Sequence, residues 1–178
     1  MNMPLYILDA LEAINNFFDS GGPVLYLIAI LTLVMWTLML ERFWYYSFGY
    51  QRDAKQVIDA WEKRPERQSW AAHAIRNKLI SETRIKIEQN LALIKTLIAV
   101  CPLFGLLGTV TGMIDVFSVL AITGGSDARS MAGGVSRATI PTMAGMVAAL
   151  SGVFANIYIS RKALRERQLI EEHLTMDH

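Results

Sequence analysis

Hydrophobic residues fall in three long blocks, each free of charged side chains for about the length needed to cross a bilayer. The uncharged runs cover residues 20–40, 96–114 and 138–160. A helix that crosses the hydrocarbon core needs about 20 mostly apolar residues. Each block could also be a buried helix of a soluble protein, but three such blocks in one short chain favour membrane spans. The pattern predicts an all-α membrane protein whose transmembrane helices cover residues 20–40, 96–120 and 132–160.

The N-terminal segment has a helical pattern of its own. In residues 1–19 the apolar side chains of Ile7, Leu11, Ile14 and Phe18 share one helical face. The acidic and amide side chains of this segment fall mostly on other faces. This arrangement predicts an amphipathic helix lying on the outer surface of the membrane.

The long polar segment at residues 41–95 is predicted to be helical, because its apolar residues recur at three- and four-residue spacing. Pro65 is expected to separate two helices. No break is evident at residues 80–95, so the helix of the second span is expected to begin well inside the cytoplasm. A short link at residues 121–131 joins the last two spans, and a tail helix is predicted at residues 161–178.

Lys and Arg are unevenly distributed, and this bias predicts the orientation in the membrane. Residues 1–23 contain none, residues 41–95 contain eleven, the link contains Arg129 alone, and the tail after Ser160 contains four. We therefore expect a periplasmic N-terminus, with the long segment and the C-terminus in the cytoplasm. The lack of basic residues before the first apolar stretch also argues against a cleaved signal peptide.

The rest of the composition offers little support for catalysis or for binding of nucleic acid. The 178 residues carry a net charge of +1, which creates no general field for nucleic acid. The single cysteine excludes an internal disulfide, and the three histidines do not have the spacing of metal ligands. The glycines follow no predicted strand, which argues against a nucleotide-binding loop. We predict no enzyme activity, no cofactor and no metal site.

Small and polar residues lie along one face of each of the last two spans. On the second span they are Cys101, Gly105, Gly108, Thr109, Gly112 and Asp115. On the third span they are Gly134, Ala138, Pro141, Thr142, Gly145, Ala149, Gly152, Asn156 and Ser160. Small residues let membrane helices approach closely, so we interpret six of them as helix-packing residues: Gly105, Gly108, Gly112, Gly145, Ala149 and Gly152. Because one three-helix chain offers too little surface to bury both stripes, a ring-forming homo-oligomer is expected.

Four polar residues in these spans are candidates for function. Thr109 and Thr142 carry hydroxyl groups at membrane depth, where polar groups usually face protein or water. We predict that both line a pore, although packing between helices alone stays an alternative. Asp115 and Arg137 lie near the outer ends of the second and third spans and could form an ion pair or a gate. The alternative is that each side chain simply reaches the outer interface.

The run CPLFGLLGTVTGMIDVF, from Cys101 to Phe117, resembles the second membrane helix of the ExbB/TolQ/MotA proton-channel family. The segment GGSDARSMAGGVSRATIPTMAGMVAAL resembles the loop and third helix of that family, and the Glu41–Arg42 pair that ends the first span also fits. The resemblance covers roughly residues 20–165. The short chain is most similar to a compact ExbB-type subunit, because MotA has a fourth span and a larger cytoplasmic domain.

The resemblance implies a ring of subunits, commonly five, in the bacterial cytoplasmic membrane around the membrane helices of an ExbD-type single-span partner. Inward proton flow would then do work on a TonB-type protein, which drives uptake through outer-membrane receptors. Thr109 and Thr142 match the pore threonines of the family, whereas Arg137 replaces a frequent glutamate and Ser151 a frequent proline. The resemblance therefore places the proton carrier on an aspartate of the partner helix. A TolQ-like role in the cell envelope and a non-conducting scaffold for partner helices are the alternatives.

Overall fold

A computed structural model describes residues 5–63, 66, 69–123 and 128–174, and its elements are all helical. In chain order they are α1 (Leu5–Trp44), a π-helical turn (Tyr45–Gly49), α2 (Tyr50–Glu62), α3 (Trp70–Glu88), α4 (Leu91–Thr123) and α5 (Ala128–His173). Among these described residues, three helical stretches are long and apolar enough to cross a membrane. They lie at Leu11–Gly49, Trp70–Ile122 and Met131–His173. The prediction of an all-helical protein with three candidate spans is therefore confirmed at this level.

The helix α1 bends at a glycine. Gly22 has φ +66° and ψ −168°, a conformation that residues with a Cβ rarely adopt. Pro23 follows directly, and its missing N–H costs least at the start of a new helical segment. The bend divides the N-terminal segment, which carries Asp9, Glu12 and Asp19, from the uncharged span, as the Gly-Gly-Pro sequence at residues 21–23 would favour.

The expectation of an unbroken helix through residues 80–95 is wrong. The helix α3 ends at Glu88, Gln89 is extended with ψ 137°, and Asn90 has a left-handed φ of +62° before α4 begins at Leu91. Asparagine tolerates this conformation better than other residues with a Cβ. Hydrophobic periodicity does not register a break of two residues, because the apolar spacing continues on either side of it.

The third span and the predicted tail helix form one continuous helix, Ala128–His173. The basic residues at 161–167 do not end it, because Lys and Arg are good helix formers. Pro65 and all four residues between α4 and α5, residues 124–127 of the predicted link, lie outside the described residues. The helices on either side of Pro65 end at Glu62 and begin at Trp70.

The helices belong to two compact units. The first comprises Met1–Met35 and Leu97–Gly152, and the second comprises Trp36–Thr96 and Val153–His178. In the first unit, buried residues of α1 accompany buried residues of α4 and α5. They are Val24, Leu25, Ile28, Met35, Ile98, Cys101, Ala138, Ala148 and Ala149.

In the second unit, side chains of α1 and of the π-helical turn contact the end of α3. Arg42 is only 3 % exposed, and its guanidinium donates to the Lys86 carbonyl at 3.2 Å and to the Glu41 carboxylate at 2.9 Å. The Tyr46 hydroxyl donates to the Ile87 carbonyl at 2.7 Å. The carbonyls of a helix's last turn have no partners within the helix. These contacts therefore cap α3 at the point where the chain breaks before α4.

The tail part of α5 is fixed in the second unit as well. The Tyr50 hydroxyl donates to the Glu166 carbonyl at 2.8 Å. Burial, and then the Glu166 carboxylate, raise the pKa of the Tyr50 phenol well above its usual value. The phenol therefore stays protonated and remains a hydrogen-bond donor throughout the physiological range.

Candidate functional site

In the first unit, α4 and α5 approach each other along their predicted small-residue stripes. A Cβ built on Gly105 would lie 2.9 Å from the Thr142 Cα, and one on Gly145 would lie 2.6 Å from the Cys101 carbonyl oxygen. A Cβ on Gly112 would lie 2.7 Å from the Ala138 Cβ. These separations leave no room for a side chain, so glycine is needed for the two backbones to pack at this distance.

The remaining small residues extend the same contact. A Cβ on Gly108 would clash with the Pro141 ring, and one on Gly152 would lie 2.7 Å from the Met35 sulfur. Ala149 is 8 % exposed. The stripes therefore bury much of each other's surface within a single chain. Asp115 of the same stripe stays exposed and Thr109 is only half-buried, so the ring of several copies stays a prediction.

The structure places Thr142 at this contact. Its hydroxyl donates to the Gly105 carbonyl of α4 at 2.8 Å, and the residue is half-buried. The hydroxyl of Thr109, also half-buried, donates instead to the Leu106 carbonyl of its own helix at 2.7 Å. Thr142 thus connects two helices, whereas Thr109 satisfies its donor locally and keeps acceptor capacity on its oxygen.

This difference predicts unequal effects of removing the two hydroxyls. We expect Thr142→Val to lower the stability of the folded protein by about 0.6 kcal/mol and at most about 1.7 kcal/mol, the range of hydrogen bonds between membrane helices. Thr109→Val, the matched control on α4, should change stability by less, because no contact between helices is lost. Thermal unfolding of the two variants in the same detergent measures this difference. Equal losses would show that the Thr142 bond to Gly105 does not stabilise the helix pair.

A cleft of about 300 Å³ opens in the first unit between the α1 bend, the C-terminal half of α4 and the N-terminal half of α5. Three charged residues line it: Asp19, Asp115 and Arg137. Asp115 and Arg137 are exposed, and no ion pair within 4 Å joins them in the part of the chain that the structure describes. The cleft therefore brings the two predicted gating residues together but does not pair them.

Asp19 was not identified as a site residue from the sequence. It precedes the bend, and the cleft also includes Gly21, Gly22 and Pro23 of the same turn. The Gly-Gly-Pro run was the available signal, because it marks a change of chain direction beside a predicted span. Hydropathy alone assigns Asp19 only to the polar flank of the first span.

Large apolar side chains cover the faces of α4 and α5 that point away from their contact. On α4 the exposed ones include Leu103, Leu106, Val110, Ile114 and Phe117. On α5 they include Met143, Met146, Val147 and Leu150. In water such a surface would be costly, whereas hydrocarbon or neighbouring helices can cover it. This agrees with the length and composition of the candidate spans.

Among the described residues, no group of three or more His, Cys, Asp or Glu could hold a metal ion.

Comparison with known proteins places this geometry in a family. The sequence profile of the MotA/TolQ/ExbB proton channel family matches residues 50–172. The biopolymer transport protein ExbB-like 1 of Synechocystis is 30 % identical over 179 residues, covering 83 % of this chain and 70 % of the relative. Synechocystis ExbB-like 3 is 40 % identical over 83 residues, which is 45 % of this chain and 39 % of that relative.

A third relative is the biopolymer transport protein ExbB of Xanthomonas campestris. It is 32 % identical over 95 residues, covering 53 % of this chain and 37 % of the relative. The family profile extends over nearly all of α4 and α5, including the glycine contacts, Thr109, Thr142 and two charges of the cleft. The chain therefore belongs to the MotA/TolQ/ExbB proton channel family.

Proposed function

We propose that this chain is a proton-conducting motor subunit of an ExbB-type complex in the bacterial cytoplasmic membrane. It would assemble as a ring of several copies, commonly five in this family, around the helix of an ExbD-type partner. The ring would couple inward proton flow to a TonB-type protein that energises outer-membrane receptors. The observation that carries the proposal is the family match across residues 50–172. The role is one of transport, without catalysis of a covalent reaction.

The first unit supports this role through its polar residues at membrane depth. Thr109 and Thr142 would form a hydrated wall, while Asp115 and Arg137 would line the outer approach. A guanidinium keeps its proton at physiological pH, so Arg137 cannot carry protons itself. The carrier is then a carboxylate of the partner helix. The exposed apolar faces of α4 and α5 supply surface for contacts between copies.

Orientation and cellular role complete the proposal. The N-terminus would be periplasmic and the C-terminus cytoplasmic, as the distribution of basic residues predicts. A TolQ-like role in the cell envelope would use the same membrane core. A non-conducting scaffold is the second candidate, because Arg137 stands where the family often has a glutamate and the Thr142 hydroxyl is already bonded to Gly105.

The test is proton flux into liposomes that contain this chain and its single-span partner. An imposed gradient should drive flux only when both proteins are present. The double variant Thr109→Val, Thr142→Val should lower flux about tenfold or more, the loss expected when a hydrogen bond to a charged group, worth about 1.5–3 kcal/mol, is removed. It should still assemble. Wild-type flux in the double variant would contradict the pore assignment, and no flux in any variant would favour the scaffold.

Charge variants test the cleft separately. Because Asp115 and Arg137 are not paired within the chain, Asp115→Asn should not reproduce the effect of Arg137→Ala. We expect Arg137→Ala to lower flux more than Arg137→Lys, since lysine preserves the charge. The exchange Asp115→Arg with Arg137→Asp should not restore flux. If Arg137→Ala conducts normally, the side chain only reaches the outer interface and takes no part in gating.

A further inference from the structure

A cavity of about 320 Å³ lies in the second unit, between the start of α4 and the part of α5 that ends the third span. Its charged and hydroxyl-bearing lining residues are Glu88, Lys95, Ser160 and Arg167. The apolar ones are Leu91, Ala92, Ala163 and Leu164. Lys95 and Ser160 stand at the ends of uncharged runs. The cavity therefore lies where both helices change from membrane-spanning to polar sequence.

The charges of this region do not cancel. Glu88 accepts from Arg84 at 3.0 Å and from Arg167 at 3.3 Å, and Arg167 also contacts Glu171 at 3.2 Å. These four residues form a neutral network. Lys95 is exposed, and no carboxylate of the described residues lies within 4 Å of its ammonium. One positive charge thus remains uncompensated at the edge of the cavity.

We propose that this cavity binds the phosphate of an anionic phospholipid. The Lys95 ammonium would contact one phosphate oxygen, and the Ser160 hydroxyl, which now donates to the Asn156 side chain at 3.3 Å, would turn to donate to another. Basic pockets between membrane helices on the cytoplasmic side favour such head groups. A hydroxyl can rotate to a new acceptor without moving the backbone.

The surroundings favour a lipid over free phosphate. Leu164 lines the cavity and is 56 % exposed, and Ile157, toward the membrane on the same helix, is 43 % exposed. These side chains offer an apolar path for acyl chains that continues from the cavity into the span. A soluble phosphate would use only Lys95 and Ser160 and would leave this apolar surface uncovered.

The experiment measures lipid binding to the full-length protein. The protein is purified in detergent in the oligomeric state that it has in the membrane. Phosphatidylglycerol, phosphatidylethanolamine and glycerol 3-phosphate are titrated separately, and bound molecules are counted by native mass spectrometry. Phosphatidylglycerol should bind best. Lys95→Gln should weaken its affinity about fivefold, the contribution of one basic residue near a membrane surface. Lys95→Arg should retain it.

Two further variants control for general effects. Lys78→Gln removes another exposed lysine of the second unit, one that pairs with Glu82 at 3.6 Å, and should leave lipid binding unchanged. Leu164→Trp should fill the cavity and weaken phosphatidylglycerol binding while Lys95 remains. Unchanged binding in both Lys95→Gln and Leu164→Trp would overturn the proposal. Equal binding of phosphatidylethanolamine, or of glycerol 3-phosphate, would overturn the assignment to an anionic lipid.

This inference rests on the proposed placement in a membrane and not on proton conduction. A protein that conducts no protons but loses phosphatidylglycerol on Lys95→Gln would contradict the proposed function alone. A protein that conducts normally but binds the lipid equally in all variants would contradict the lipid site alone.

Discussion

Gly145→Ala should lower the stability of the folded protein by about 1–3 kcal/mol, the usual range for overpacking a close contact. The added Cβ would lie 2.6 Å from the Cys101 carbonyl oxygen, which belongs to the backbone and cannot rotate away. The helices α4 and α5 would have to separate, which would also strain the hydrogen bond between Thr142 and Gly105. The thermal unfolding midpoint of the purified protein in detergent measures the loss.

The same helix offers matched controls for this substitution. A Cβ on Gly133 meets nothing within 4 Å, so Gly133→Ala should stabilise the helix by up to about 1 kcal/mol through propensity alone. Gly152→Ala should fall between the two, because its nearest contacts are the flexible end of Met35 and a side-chain carbon of Ile98. If Gly145→Ala is as stable as Gly133→Ala, the close approach of α4 and α5 is wrong.

Arg42→Met should destabilise the second unit by about 1.5–3 kcal/mol, the range for losing hydrogen bonds to a charged group. Methionine fills much of the buried space but leaves the Lys86 carbonyl at the end of α3 without its donor. It also removes the guanidinium that lies 5.3 Å from the centre of the Tyr45 ring. The Arg42 Nε is buried without a hydrogen-bond partner in the described part of the chain. The substitution also removes this unpaired group, so we expect a loss of stability near the lower end of the range.

Arg84→Met is the control for the loss of an arginine in the same unit. Arg84 is exposed and pairs with Glu88 four residues away on α3, so its removal should cost only about 0.3–0.5 kcal/mol. Arg42→Lys should be intermediate, because one ammonium cannot reproduce both arms of the guanidinium. Thermal unfolding of the variants measures the order. Equal losses for Arg42→Met and Arg84→Met would show that Arg42 does not stabilise the break between α3 and α4.

The candidate site could be predicted in part. The glycines and threonines of α4 and α5 stand out because polar and small residues are unusual in apolar runs. Their partners could not be predicted: periodicity shows which face a residue occupies, but not which helix covers that face. Which positions of each stripe are exposed and which are buried also depends on how the helices pack. The ring of several copies therefore stays a prediction.

The sequence by itself determined the three apolar runs, their helical character and the family motif of α4, because chain length and hydrophobicity alone decide whether a helix can cross a bilayer. Only the tertiary structure decided the rest. It ended α3 at Glu88, where Asn90 takes a left-handed conformation and Arg42, far away in the chain, caps the helix. It also joined Asp19 to the cleft of Asp115 and Arg137. Both results depend on contacts between distant segments, which no local pattern records.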